Sequence, residues 1–368
     1  MEVKIPTPAG CALRSMTQLR SFVREFRDRS LELMRMKQIA RVSFVGLWIV
    51  TLSLAITGAL YETICRWRDG QRFPQRGHFV QAGLIRMNID CSGQGSPTVI
   101  LESGSGGPSV DWLKVQPEVA RFSRVCSYDR AGYGWSDPGP KPRSSLQIAH
   151  ELKQLLVAAG EKGPYVLVGH SMGGYDIRVF TGQYPNDVVG MVLVDSSHED
   201  QGLRAPESIR EWAQDDRKHP AWKKLKYFFQ LHLGWARLTA DRDAPVFWRK
   251  EFREEEEFLT LPTKHQFATI DEDQVFSTLS AAQVRSAGSL GDRPLIVLTA
   301  TRQEDIPPEV PPNDAQAEED LWVHQLQPAL ARLSTHGKQI IVDSSHEMPT
   351  EHPEVVISAI HDVWLAAH

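Results

Sequence analysis

The stretch Val166–Phe180, "VLVGHSMGGYDIRVF", changes character at its middle. Aliphatic strand material runs into a serine flanked two residues away by Gly169 and Gly173, and helical spacing follows at once. A serine on a tight strand-to-helix turn has a strained backbone, and small residues two positions to either side relieve the clashes of the turn. The Ser171 hydroxyl is thereby expected to stand clear of the sheet. The unpaired N–H groups that open the following helix favour negative charge beside it, so one turn builds a nucleophile and half of an oxyanion hole.

The segments around this turn repeat its strand-then-helix pattern. Residues 78–90 read as a hairpin about Ala82-Gly83, and 97–102, 124–129, 188–195, 294–300 and 339–343 read as further strands. Between them, 110–122 has Trp112, Val115, Val119 and Phe122 at helical spacing, 145–160 is an amphipathic helix stopped by Gly160, and helices are expected at 317–333 and 353–367. Such alternation predicts an α/β fold with a mostly parallel sheet covered by helices on both faces. From 196 to 292 the alternation stops. Trp212, Trp222, Trp235, Trp248, Phe228 and Phe229 fall there, and the stretch reads as a helical insertion in which Glu254–Glu257 form a solvated helix face.

The 368 residues are 41% hydrophobic and 24% charged with a net charge of -5, ordinary globular material that gives nucleic acid no general attraction. The N-terminal region is different. Residues 42–61 carry no charge and, at about 1.5 Å per residue, can cross roughly 30 Å of hydrocarbon as a transmembrane helix. Residues 1–41 hold nine Lys or Arg against four Asp or Glu, which predicts a basic cytoplasmic segment and an extracytoplasmic bulk. The competing reading is a cleaved signal peptide starting at Met34 or Met36, with Thr57 and Ala59 near the cleavage site and a secreted or periplasmic product. Residues 62–77, polar with Gly and Pro, read as a linker.

The four cysteines, Cys11, Cys65, Cys91 and Cys126, show no CxxC spacing and no metal signature. Cys91 and Cys126 are expected as buried free thiols, with a bridge between them as the alternative in an oxidising compartment. In "HEMPTEH" (346–352) the second His misses the HExxH spacing and Pro349 spoils the helix such ligands need, so no metal is expected.

Five ordered motifs, "VILESGSGG" (99–107), "YDRAGYGWSD" (128–137), "VLVGHSMGG" (166–174), "GMVLVDSSHEDQ" (190–201) and "SSHEMPTEHPEVVISAI" (344–360), make residues 78–367 resemble the α/β-hydrolase superfamily, in its branch of lid-bearing, cofactor-independent bacterial serine hydrolases. The resemblance implies an eight-stranded, mostly parallel sheet, a core formed by 78–195 and 293–368, a lid at 196–292 and a Ser-His-acid triad. Ser171 then resembles the nucleophile and His346 the base. The oxyanion donors would be the N–H groups of Met172 and Ser105, the latter in a loop where many relatives carry His-Gly-x. The acid is the departure: most relatives place an Asp after the penultimate strand in a Gly-x-x-Asp arrangement, whereas "TATRQEDIP" has no Gly and Asp305 sits late. A subset places the acid where Asp195 stands, and Asp195 is preferred over Asp305.

Asp129, Gly132 and Gly134 are expected to shape a loop, and His170 to be a packing residue. The implied chemistry is hydrolysis of a carboxylic ester or related acyl substrate through an acyl-enzyme, without a cofactor. An acyltransferase and a non-catalytic ligand-binding homologue are the alternatives; Ser171 argues against relatives that use an Asp nucleophile.

Overall fold

Runs of β-branched and aliphatic residues become eight strands: β1 (His78–Ala82), β2 (Ile85–Ser92), β3 (Thr98–Glu102), β4 (Val125–Tyr128), β5 (Tyr165–His170), β6 (Val188–Val194), β7 (Leu295–Ala300) and β8 (Gly337–Val342). The computed structural model describes residues 9–239, 250–302, 306 and 308–368. The strands form one sheet in the order β1-β2-β4-β3-β5-β6-β7-β8. β2 is antiparallel to both neighbours and every other pair is parallel.

The principal helices are α1 (Ala9–Arg72), α2 (Ser145–Ala159), α3 (Gly173–Gln183), α4 (Glu207–Asp216), α5 (Pro220–His232), α6 (Trp235–Thr239), α7 (Lys250–Thr260), α8 (Thr263–Val275), α9 (Pro312–Leu321) and α10 (Pro353–Ala366). Alternate residues of the central strands serve opposite faces of the sheet. Val99, Leu101, Val166, Val168 and Val192 pack with Ile360 and Val363 of α10. Ile100, Leu167 and Leu193 pack with Leu152 and Leu155 of α2 and Phe180 of α3. A sheet buried on both sides is what continuous apolar strands require. The helix expected at 317–333 starts earlier, at Pro312, and passes through a π-helical turn at Trp322–Leu326 before resuming.

The chain divides into a unit ending at Tyr61 and a unit starting at Glu62. In the first, the helix is long and apolar enough to cross a membrane, and Leu47, Trp48, Ile49, Leu52 and Ile56 are all exposed. A helix apolar around its circumference with nothing packed on it is a candidate membrane span.

Three expectations are corrected here. The linker at 62–77 is helical as far as Arg72. Arg237 of α6 holds it through Glu62 at 3.1 Å and Asp69 at 2.6 Å, Arg76 donates to both oxygens of Glu255 at 2.7 and 2.8 Å, and Phe73 meets Phe258. These long-range partners offset the cost of Gly70 within the helix. For the same reason Glu254–Glu257 are not a solvated face: Glu255 is 4% exposed, and Glu254 pairs with Arg72. Finally, Cys91 and Cys126 are not free thiols but a disulfide. They are direct register partners, because β2 runs antiparallel beside β4 and brings their Cα atoms to 4.1 Å. Cys65 is free and half-buried. Trp248 and Asp305 lie outside the described residues.

Candidate active site

β5 ends at His170, and Ser171 follows in the left-handed region with φ +51°. The glycines two positions away are there for space. A Cβ on Gly169 would stand 2.8 Å from the Gly173 carbonyl, and one on Gly173 would stand 2.6 Å from the Ser103 oxygen and 2.7 Å from that of Glu102. Backbone atoms cannot yield at such distances, so α3 can begin this close to β3 only with glycine. The Ser171 N–H donates to the Val194 oxygen at 3.1 Å and its carbonyl accepts from Ser197 at 3.0 Å, tying the turn to the segment after β6.

That segment begins with Asp195, buried and also at positive φ, +40°. Holding two non-glycine residues there costs of order 1–3 kcal/mol each, which the packed strands around them must supply. Asp195 Oδ2 lies 2.6 Å from His346 Nδ1. Its Oδ1 accepts from the Ala300 N–H at 3.0 Å and from the Trp322 indole at 2.8 Å. The carboxylate is thus fixed from β7 and from the π-helical turn, the kind of local irregularity that re-aims a side chain.

His346 follows β8 in a half-exposed loop that has its own anchors. Glu351 accepts from Ser345 N–H at 2.8 Å and Ser345 Oγ at 2.6 Å and pairs with Arg302. Burial disfavours the Glu351 anion, but the Ser345 and Arg302 hydrogen bonds outweigh it and bring the carboxyl down to about 2. On the other side, His170 Nε2–H donates to the His346 carbonyl at 2.9 Å, with the two rings 4.7 Å apart. Burial and the proximity of His346 lower the His170 pKa, so it holds the loop as a neutral donor.

The loop after β3 crosses close to the serine. A Cβ on Gly104 would stand 3.0 Å from Ser171 Cβ and 3.6 Å from Ser171 Oγ. Ser105 is exposed, its hydroxyl donating to Asp273 of α8 at 3.2 Å. Among the described residues, no backbone acceptor takes the N–H of Met172 or of Ser105. Underneath, the buried Arg130 guanidinium donates to the carbonyls of Ser103 at 2.6 Å and Gly104 at 2.5 Å. The same group pairs with Glu102 at 2.8 Å and with Glu272 of α8 at 3.3 Å. Tyr133 bridges the same elements, its hydroxyl donating to Glu272 at 2.6 Å and accepting from Gly106 N–H at 3.1 Å. His265 of α8, pushed by burial to about 3 and therefore neutral, lies 2.9 Å from the Gly106 carbonyl and donates to it. Residues 103–106 are thus gripped from the core by Arg130 and from the insertion by α8.

Of the residues singled out in the sequence, Asp195 and His346 are joined directly, and Ser171 and Gly104 lie together beside His170. Asp129 shapes its loop, accepting from the N–H groups of Ser109 at 2.7 Å and Trp135 at 3.1 Å. Trp322 and Glu272 carried no local signal; Arg130 and Glu351 lay inside quoted motifs but only their partners reveal their tasks. Among the described residues, the one group of thiols and carboxylates close enough to share an ion is Cys91, Cys126 and Glu161. Its sulfurs are spent in the disulfide and Glu161 pairs with Arg124 at 2.6 Å.

A doubly covered parallel sheet with an antiparallel second strand and a strained serine turn after β5 are the features of an α/β-hydrolase type of fold. The alpha/beta hydrolase family model matches residues 99–359, and the chain belongs to that family. It is 25% identical over 275 residues to the uncharacterized protein YqjL of Bacillus subtilis, covering 75% of this chain and 86% of the relative. It covers only 17% to 49% of the length of five other curated relatives. Two solved structures share the fold: a candidate lipase of Acinetobacter baumannii (TM-score 0.56, 21% identity, 83% of this chain and 96% of that one) and the epoxide hydrolase CorEH (TM-score 0.60, 17% identity, 79% and 99%).

Proposed function

We propose that this chain is a membrane-anchored serine hydrolase that cleaves a carboxylic ester or related acyl substrate. The observation that carries the reading is the 2.6 Å contact between His346 Nδ1 and Asp195 Oδ2, beside a serine held at positive φ on a strand-to-helix turn. Asp195 fixes the imidazole tautomer with Nε2 turned away as the base. His346 takes the Ser171 proton as the hydroxyl attacks the acyl carbonyl, and the N–H groups of Met172 and Ser105 receive the charge on its oxygen. The alcohol leaves with a proton from His346, and water attacks the acyl-enzyme by the same steps in reverse. A serine in this position argues for acyl transfer rather than the carboxylate nucleophile of epoxide opening.

The chain organisation that goes with this reading is a basic cytoplasmic segment at 1–41, a membrane span at 42–61, the hydrolase core at 78–195 and 293–368, and a lid at 196–292. The Cys91–Cys126 disulfide supports an oxidising location for the core, on the side of the membrane opposite the basic segment.

The test is labelling of the full chain by a fluorophosphonate probe, with hydrolysis of short p-nitrophenyl esters measured in parallel. Ser171→Ala is expected to abolish both while leaving the melting temperature near that of the parent. Undiminished labelling or turnover in that variant refutes the assignment of the nucleophile.

A further inference from the structure

The exposed face of the insertion is built backwards for a water-facing surface. On α5, Trp222, Leu225 and Phe229 stand at i, i+3 and i+7, one stripe of a helix, and all point outward; Phe228 widens the stripe. The inner side of the same helix holds a charge, with Lys224 Nζ 2.5 Å from Asp271 of α8. Trp235 and Leu238 of α6, each 57% exposed, extend the apolar surface. Soluble monomers rarely leave such large side chains contiguous and uncovered.

What covers them follows from Arg237, which lies between Trp235 and Leu238 on α6. It is bonded to Glu62, and Glu62 is joined by one peptide bond to the last residue of the uncharged run 42–61. A residue that immediately follows a membrane span lies at the edge of the hydrocarbon, and the guanidinium, which bridges Glu62 to Asp69 about 10 Å further along α1, stands between that edge and the headgroup layer. Trp235 and Leu238 project from other faces of the same short helix but lie within one turn of Arg237, so they fall in that layer too. Trp67, 65% exposed five residues beyond Glu62 on α1, is the residue type that favours this layer.

We infer that the outer face of α5 and α6 is a lipid-docking surface, seated in the interface of the same bilayer that residues 42–61 cross. This rests on the membrane-span reading but not on the ester chemistry.

The experiment uses the full chain with Cys11 and Cys65 replaced by serine and one new cysteine carrying an environment-sensitive nitrobenzoxadiazole dye. The dye is placed at Phe229, Trp235, Leu52 in the span, or Leu365 on α10. Leu365 is the control: its neighbour Trp364 bonds the Pro97 carbonyl just before β3, at the end of the sheet opposite Ser171. Each labelled protein is checked for a parent-like melting curve and reconstituted in phosphatidylcholine–phosphatidylglycerol vesicles with or without nitroxide-labelled lipid. An apolar face buried about 5–10 Å into the interface predicts loss of roughly half or more of the signal at Phe229 and Trp235, as at Leu52, with little loss at Leu365. Quenching at Leu52 with Phe229 and Trp235 as insensitive as Leu365 overturns the docking surface and leaves the span intact. Absence of quenching at Leu52 as well overturns both.

Discussion

The Trp322 indole donates to Asp195 Oδ1 at 2.8 Å, leaving Oδ2 of the same carboxylate for His346 at 2.6 Å. On the proposed mechanism Trp322 is thereby a positioning residue: it fixes the plane of the carboxylate that would orient the imidazole. A hydrogen bond to a charged group is worth about 1.5–3 kcal/mol, so Trp322→Phe is expected to lower kcat about tenfold to a hundredfold. KM should change little, because the indole is buried with its N–H spent on Asp195. A variant with parent kcat shows that the Ala300 N–H alone holds the acid.

On the same mechanism Arg130 is the second positioning residue, since its two donors fix the carbonyls of Ser103 and Gly104 and so set the direction of the Ser105 N–H. Lysine keeps the charge but lacks the planar fork. Arg130→Lys is expected to slow fluorophosphonate labelling about a hundredfold, the cost of misplacing one oxyanion donor. Because a buried ion network is disturbed, Glu272→Gln serves as the milder variant, which loosens the α8 end and leaves the carbonyl contacts in place. Unchanged labelling rates in both variants, with melting curves confirming that they fold, remove Arg130 from the mechanism.

Glu256 of α7 gives a pH dependence. Burial, then the Glu347 and Glu257 carboxylates, raise it from 4.5 to about 7, and burial with Glu256 and Glu347 raises Asp111 as well. A carboxyl whose folded pKa is raised gives its full contribution to stability below the unfolded value and loses it as pH climbs through the folded value. Glu256→Gln is therefore expected to leave the melting temperature unchanged at pH 4.5 and to raise it at pH 8. Equal shifts at both pH values contradict this.

The strands were legible because burial on both faces leaves mostly apolar side chains in β3 to β7, many of them β-branched, in short continuous runs. The serine turn was legible because its glycine spacing is a steric requirement of the backbone. Asp195 was readable by position, at the end of β6, but its contact with His346 spans 151 residues and depends on the sheet order. What escaped was whatever depended on a partner distant in sequence. Glu255 looks like a solvated glutamate until Arg76 stands beside it, and 66–72 looks like a linker until Arg237 fixes Asp69. The disulfide escaped for the same reason, since nothing near Cys91 or Cys126 announces that β2 will lie beside β4.

That disulfide also has a mechanical meaning. The hairpin of β1 and β2 is the first part of the sheet after α1, and its hydrogen bonds to the remaining strands run through the four residue pairs between β2 and β4. Once the contacts of Arg237 and Arg76 give way, tension from a tethered N-terminus would reach the remaining strands through that seam, where ladder bonds alone can unzip one after another. The bond from Cys91 to Cys126 crosses the seam, so the load passes into β4 by a covalent route and the hairpin cannot be peeled away while the sulfurs stay oxidised.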